Sequence, residues 1–176
     1  MTRRQFTVAG IGAAAAAAFG TAFSPDKNTA ATLAKFTVSE GKPPTRADKV
    51  IKTDAEWKKI LDADEYYILR ESGTEIPRTG RWWNNHEKGT YHCAACALDL
   101  FQSEAKFESG TGWPSFTSAI GQDHVFAKAS TGFGYLQSEV VCNRCGGHLG
   151  HVFDDGPAPT GLRFCIDGNA LDFAKA

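Results

Sequence analysis

The sequence predicts a mainly β domain of antiparallel sheets around a four-cysteine site, with short helices on its N-terminal side. Three observations predict it. Two C-x-x-C pairs, Cys93/Cys96 and Cys142/Cys145, stand so far apart that a sheet or hairpin must fold between them. From residue 80 onward, short apolar or aromatic runs alternate with glycine, proline and asparagine, the punctuation of antiparallel strands. Before that point, two short segments carry helix-start chemistry instead.

The chain opens on Thr2-Arg3-Arg4-Gln5-Phe6, a pattern that resembles a twin-arginine signal, followed by an alanine- and glycine-rich run over 8–23. Residues 1–34 therefore read as a targeting segment and the start of a tether, and are set aside from fold reasoning. The run is too weakly apolar, and too short before Ser24 and Pro25, to read as a membrane span, although an uncleaved anchor is the alternative. The resemblance implies passage of the folded protein through the twin-arginine export machinery to the periplasm. Residues 35–47 read as a linker, polar, without a period, and carrying Pro43-Pro44. Residues 48–176 are then long enough for one domain with a modest core.

Thr53-Asp54-Ala55-Glu56 is a capping-box pattern that opens a helix over 54–61, with Trp57 and either Ile60 or Leu61 facing inward. Asp64 is expected to cap a second helix, ending near residue 71, before Gly73. Strands are expected over 89–92, 100–101, 105–108, 125–129, 134–141, 151–153 and 161–166. A net charge of −1 and the lack of basic runs give no reason to expect a nucleic-acid partner, and a monomer is expected. The single methionine is the initiator, so the rest of the chain offers oxidants no thioether of its own.

The five cysteines divide four and one. Two C-x-x-C pairs supply four thiolates, enough for one closed tetrahedral zinc site of a structural kind. Two disulfides are the competing reading in an exported chain, though paired C-x-x-C is the more specific signal for metal. An iron site of the same four thiolates is a third reading. His148 and His151 could also be read as metal ligands, but four cysteines already complete a site. Cys165 is left over. Its plain reading is a buried, inert strand residue. Against that, Arg163 two positions away shares its strand face, and a guanidinium there would favour the nucleophilic thiolate. The upstream histidines could supply or take a proton. Among the other histidines, His92 reads as structural, and His86 and His124 as solvated.

Several segments then stand together in order. They are Gly73-Thr74-Glu75 with Pro77 and Thr79-Gly80; Gly89-Thr90-Tyr91 before the first cysteine pair; Leu100-Phe101; Phe107-Glu108-Ser109-Gly110; and Gly112-Trp113-Pro114-Ser115-Phe116. After the second pair come Gly147-His148-Leu149-Gly150-His151-Val152-Phe153, Asp155-Gly156-Pro157 and Gly161-Leu162-Arg163-Phe164-Cys165-Ile166. Over about residues 45–173 the chain resembles the methionine-R-sulfoxide reductase family (type B, the SelR domain).

That resemblance implies a zinc-bound, β-tent-like domain that reduces the R epimer of methionine sulfoxide, free or protein-bound, with a thioredoxin-like reductant. It implies Cys165 as nucleophile and Trp113 packed on the substrate methyl group, with His148, His151, Phe153 and Arg163 lining the pocket. Cys93, Cys96, Cys142 and Cys145 would hold a structural Zn2+ away from it. Without the resemblance, Trp113 would read as ordinary packing. The chain departs from the family pattern twice. Thr111 stands where many members carry a resolving cysteine, and Asp167-Gly168 replaces the usual asparagine and serine. Asp167 reads either as a turn residue or as a protonated donor that imitates the asparagine. Two other classes stay open: a zinc-bound β binding module without catalysis, and a four-cysteine iron electron-transfer protein.

Overall fold

The computed structural model describes residues 45–130 and 137–176. The expected targeting segment, and the linker as far as residue 44, lie outside the described residues.

Among the described residues, two α-helices come first. Helix α1, Asp54–Ile60, starts on the expected capping box: the Glu56 carboxylate accepts from the Thr53 N–H at 2.7 Å, and the Thr53 side chain accepts from the Glu56 N–H. Leu61 is the inward residue of the pair at its end, 8 % exposed, while Ile60 is 55 % exposed. Helix α2, Ala63–Glu71, corrects the expected cap. Asp62, not Asp64, is the N-cap, because it forms a second reciprocal box with Glu65, at 2.8 and 3.1 Å. Asp64 instead occupies the first turn, where the helix dipole favours a negative charge.

Among the described residues, nine strands follow: β1 Gly89–Cys93, β2 Asp99–Gln102, β3 Lys106–Phe107, β4 Ser115–Phe116, β5 Val125–Ser130, β6 Gln137–Cys142, β7 His148–Phe153, β8 Arg163–Ile166 and β9 Leu171–Lys175. The first three residues of the strand expected over 134–141 lie outside the described residues. Three differences from expectation matter. A 3-10 turn, Ser103–Ala105, takes the start of the expected 105–108 strand and leaves β3 only two residues. Strand β4 is two residues long and follows a proline, too short to carry a period. Strand β9 exists because it pairs along the whole of β1, from Gly89↔Lys175 to Cys93↔Leu171.

The strands form a three-stranded sheet, ordered β2-β1-β9, and a six-stranded sheet, ordered β3-β4-β8-β7-β6-β5. Aromatic residues join the two faces. Phe101 of β2 stacks on Phe116 of β4 at 4.4 Å, and Tyr91 of β1 meets Phe116 edge-on at 5.0 Å. Phe101 also meets Phe164 of β8 at 5.7 Å. All four rings are fully buried, and such contacts add to what area burial alone contributes. Ile68 and Leu69 of α2 cover β7 from outside the sheets, with Leu69 against Gly147. Among the described residues, no helix is long and apolar enough to cross a membrane.

Strand β7 carries a bulge. Val140↔Gly150 is followed by Val141↔His148, so Leu149 is the extra residue. In a regular strand His148 and His151 would point to opposite faces. The bulge turns them to one side, with ring centroids 5.4 Å apart.

The second capping box leads to a direct comparison. Asp62→Ala should lower unfolding stability by about 1 kcal/mol, while Asp64→Ala should change it by less than half of that. Urea unfolding of the two variants against wild type measures the difference.

Candidate active site

The four paired cysteines come together at one end of the two sheets. Cys93 ends β1 and Cys142 ends β6, so each sheet contributes one pair. After each pair the chain turns through a left-handed residue, Ala97 (φ 56°) and Gly146 (φ 72°), and its N–H returns to the carbonyl of the first cysteine at 2.8 Å. The four Sγ atoms all lie within 4.8 Å of one another, with Cys93–Cys145 at 3.7 Å and Cys96–Cys142 at 3.6 Å. Thiolates about 2.3 Å from a tetrahedral metal stand about 3.8 Å apart, so this cluster fits a metal ion. No disulfide joins any of the five cysteines, which sets the two-disulfide reading aside.

Cys165 lies elsewhere. It sits on β8 between two partners, Ser115 of β4 and His151 of β7. A cleft of about 270 Å³ opens over it, lined by Thr74, Trp113, Gly150, His151, Phe153, Cys165 and Asp167. Trp113 is held by its indole N–H, which donates to the Glu75 carbonyl at 3.2 Å. His151 and Phe153 alternate with Val152, so they share the cleft side of β7.

The sequence-expected residues therefore separate. Trp113, His151, Phe153, Cys165 and Asp167 meet in the cleft. Arg163 stands beside it, making two 2.8 Å hydrogen bonds to Asp155 and stacking on Phe153 with 4.3 Å from guanidinium to ring. His148, 3 % exposed, lies behind the cleft. Its Nδ1 meets Glu139 at 2.9 Å, and its buried Nε2 has no hydrogen-bond partner but points toward Asp167 Oδ2 at 3.8 Å. Glu75, Glu139 and Asp155 also hold the site, and the sequence assigns them no role. Nothing in their spacing marks them, since each is recruited from a different strand or loop.

Burial and charge oppose one another here. Burial raises the Cys165 thiol above its ordinary value, and Asp167 adds to that; Arg163 and Thr111 pull it down without prevailing. Arg163 thus favours the thiolate by less than burial disfavours it. Burial pushes Asp167 up to about 7, with Glu75 reinforcing it, against the Glu75 N–H that its Oδ1 accepts at 3.1 Å. Burial also raises Glu139, yet hydrogen bonds from His148 and Lys128 outweigh it and hold that carboxyl down to about 2. His151 is lowered by burial first and by His148 second.

A half-buried thiol in an aromatic cleft, apart from four cysteines positioned to hold a metal ion, is the arrangement of a thiol enzyme on a β scaffold. The family model described as SelR domain matches residues 61–175. A peptide methionine sulfoxide reductase MsrB of Herminiimonas arsenicoxydans is 52 % identical over 126 residues, 72 % of this chain and 92 % of that protein. One of Methanosarcina barkeri is 55 % identical over 124 residues, 70 % and 87 % of the two chains. One of Leptospira interrogans is 50 % identical over 127 residues, 72 % and 97 %. The chain belongs to the SelR family.

Asp167 gives a signed pH effect. Unfolded, its carboxyl titrates near 3.9; folded, near 7. Between those values the folded state keeps a proton that the unfolded state has lost, so stability falls as pH rises from about 4 to 7. Asp167→Asn cannot ionise and keeps the acceptor for the Glu75 N–H. Its stability relative to wild type should rise by on the order of a few kcal/mol between pH 4 and 8, read from urea unfolding midpoints.

Proposed function

We propose that this chain reduces the R epimer of methionine sulfoxide to methionine, with Cys165 as the nucleophile. The observation that carries the proposal is the cleft, where a lone thiol lies beside a fixed indole and a phenyl ring. Membership of the family, whose named relatives are methionine sulfoxide reductases, supports the same reaction.

The chemistry needs a thiolate to attack sulfur, a proton for the departing oxygen, and an apolar seat that aligns the attack. Trp113 and Phe153 form the seat for the methyl group. Cys165 Sγ attacks the sulfoxide sulfur, and the oxygen ends on Cys165 as a sulfenic acid while the thioether leaves. One thiol and one sulfoxide give one sulfenic acid and one thioether, so two electrons pass from Cys165 to the substrate. A neutral His151 keeps one N–H to donate or to hold a water. Asp167, with a carboxyl near 7, carries its proton on a fraction of molecules at neutral pH and offers a second donor, as an asparagine would. Behind them, His148 is fixed by Glu139, which orients it toward Asp167.

With four cysteines in the metal cluster and Thr111 lacking a sulfur, no thiol remains to resolve the sulfenic acid. An external thiol, such as a thioredoxin-like partner, condenses with it, releases water and leaves a mixed disulfide on Cys165; a second thiol then frees the enzyme. With separated epimers and dithiothreitol, wild type should reduce only the R form and Cys165→Ser neither. Without reductant, one turnover should leave Cys165 trappable by a sulfenic-acid reagent. A loss of two hydrogens in mass instead, from an internal disulfide, would count against this route.

We infer that the clustered cysteines hold zinc, which in a closed four-thiolate site supplies folding energy rather than reactivity. Elemental analysis should find one zinc per chain, and Cys142→Ser should lose it together with stability; a red, iron-loaded protein would overturn the assignment. We also infer export to the periplasm, supported by Arg3-Arg4 and the alanine-rich run. Replacing both arginines by lysine should hold the protein in the cytoplasm, and unchanged fractionation would sink the inference.

A further inference from the structure

Three hydroxyl side chains form a hydrogen-bonded string beside Cys165. Thr111 Oγ1 lies 4.0 Å from Cys165 Sγ, Ser109 Oγ lies 2.8 Å from Thr111 Oγ1, and Ser115 Oγ lies 2.7 Å from Ser109 Oγ. Ser115 Oγ then donates to the Trp113 carbonyl at 3.3 Å. Two separate pieces of chain build the string. Ser115 is fully buried on β4, directly opposite Cys165. Ser109 and Thr111 are half-buried on the loop before it, which turns at Gly110 (φ 76°) and Gly112 (φ 90°).

Counting protons fixes the polarity of the string. Each hydroxyl has one proton to donate, and a carbonyl can only accept. When Ser115 donates to Trp113, Ser109 must donate to Ser115, and Thr111 to Ser109. The Thr111 oxygen is then an acceptor for the Cys165 S–H. Once Cys165 loses its proton, the order can reverse. Thr111 donates to the thiolate, Ser109 to Thr111, and Ser115 to Ser109, so that only a neutral carbonyl gives up its bond. No proton travels along the string; three hydroxyls rotate. Aligned hydroxyls polarise one another, so the first donor is stronger than an isolated threonine would be.

We propose that Thr111, Ser109 and Ser115 form a reversible donor string that stabilises the Cys165 thiolate, with Thr111 touching the sulfur and the two serines positioning it. The proposal rests on the reading of Cys165 as nucleophile. It also gives position 111 a purpose in a chain that has no sulfur there. The charges facing Cys165 come from other directions. Arg163 on β8 and Asp167 just past its end flank it, His151 faces it from β7, Asp155 holds Arg163, and Glu75 lies behind Asp167. Residues 109–116, which carry the string, include no charged residue. Arg78, whose N–H donates to the Gly112 carbonyl at 2.8 Å, and Glu108, next to Ser109, are the charged residues against this loop; with Arg163 committed to Asp155, the string is the neutral donor beside the sulfur.

The test is the pH dependence of Cys165 alkylation by iodoacetamide in the zinc-loaded protein, with the labelled peptide identified by mass. Thr111→Val removes the hydroxyl and keeps the shape. It should raise the alkylation midpoint by about half a pH unit or more, equivalent to roughly threefold slower labelling below the midpoint. Thr111→Ser should restore the wild-type midpoint, and Ser115→Ala, which leaves Thr111 in place, should shift it in the same direction by less. A wild-type midpoint in Thr111→Val overturns the proposal. So does a Thr111→Ser shift as large as that of valine, because shape rather than the hydroxyl would then be responsible. Alkylation needs no sulfoxide, so a wild type that labels as described but reduces neither epimer would count against the proposed function alone.

Discussion

The site depends on how closely β7 and β8 approach at Gly150. That residue has φ 142°, and a Cβ placed on it would stand 2.1 Å from the Cys165 carbonyl oxygen. Both facts demand glycine, one through conformation and the other through space. Gly146 differs: it needs its left-handed φ but has open space around it. Because β7 can come this near, Gly150 pairs with Ile166 and His151 pairs with Cys165. The bulge at Leu149 follows in the same strand and turns His148 to the same side. Thiol, imidazole and the phenyl ring of Phe153 are thus placed by one backbone contact.

Behind the cleft, the protein buries carboxylates and treats them differently. Glu139 receives His148 and Lys128, at 2.9 and 2.8 Å, and stays ionised. Asp167 receives one backbone N–H and a distant imidazole, which does not offset its desolvation, so it holds a proton near neutral pH. A protonated Asp167 also gives the bare Nε2 of His148 a donor to face. Glu75 is raised by burial as well, while two backbone N–H groups, from Gly168 and Asn169, pull against it. The pair Glu75 and Asp167 therefore ties the segment after α2, whose Glu75 carbonyl holds the Trp113 indole, to the end of β8.

The five cysteines divide by position as well as by chemistry. Four join the end of one sheet to the end of the other, and a metal there would fasten the two layers that the aromatic cluster packs together. The fifth is kept apart on a central strand. In the proposed reaction the separation would let one protein use thiolate both as an anchor and as a nucleophile, because each sulfur's behaviour follows its surroundings.

Much of this was legible in the sequence. The paired C-x-x-C spacing gave the cluster, since metal ligation in such pairs is set by local turns. Thr53 and Glu56 gave the first cap for the same reason: a capping box is a contact between near neighbours. The motifs around Trp113 and Cys165 marked the cleft. What only the tertiary structure decided involves residues distant in sequence or too short to show a period. Strands β4 and β9 exist through their partners, β8 and β1. The bulge that brings His148 beside His151 depends on pairing with β6. Whether Arg163 could outweigh burial at Cys165, and whether Asp167 would keep its proton, are balances between desolvation and contacts from several strands. A sequence names the groups in such a balance, but only packing sets the distances that decide it.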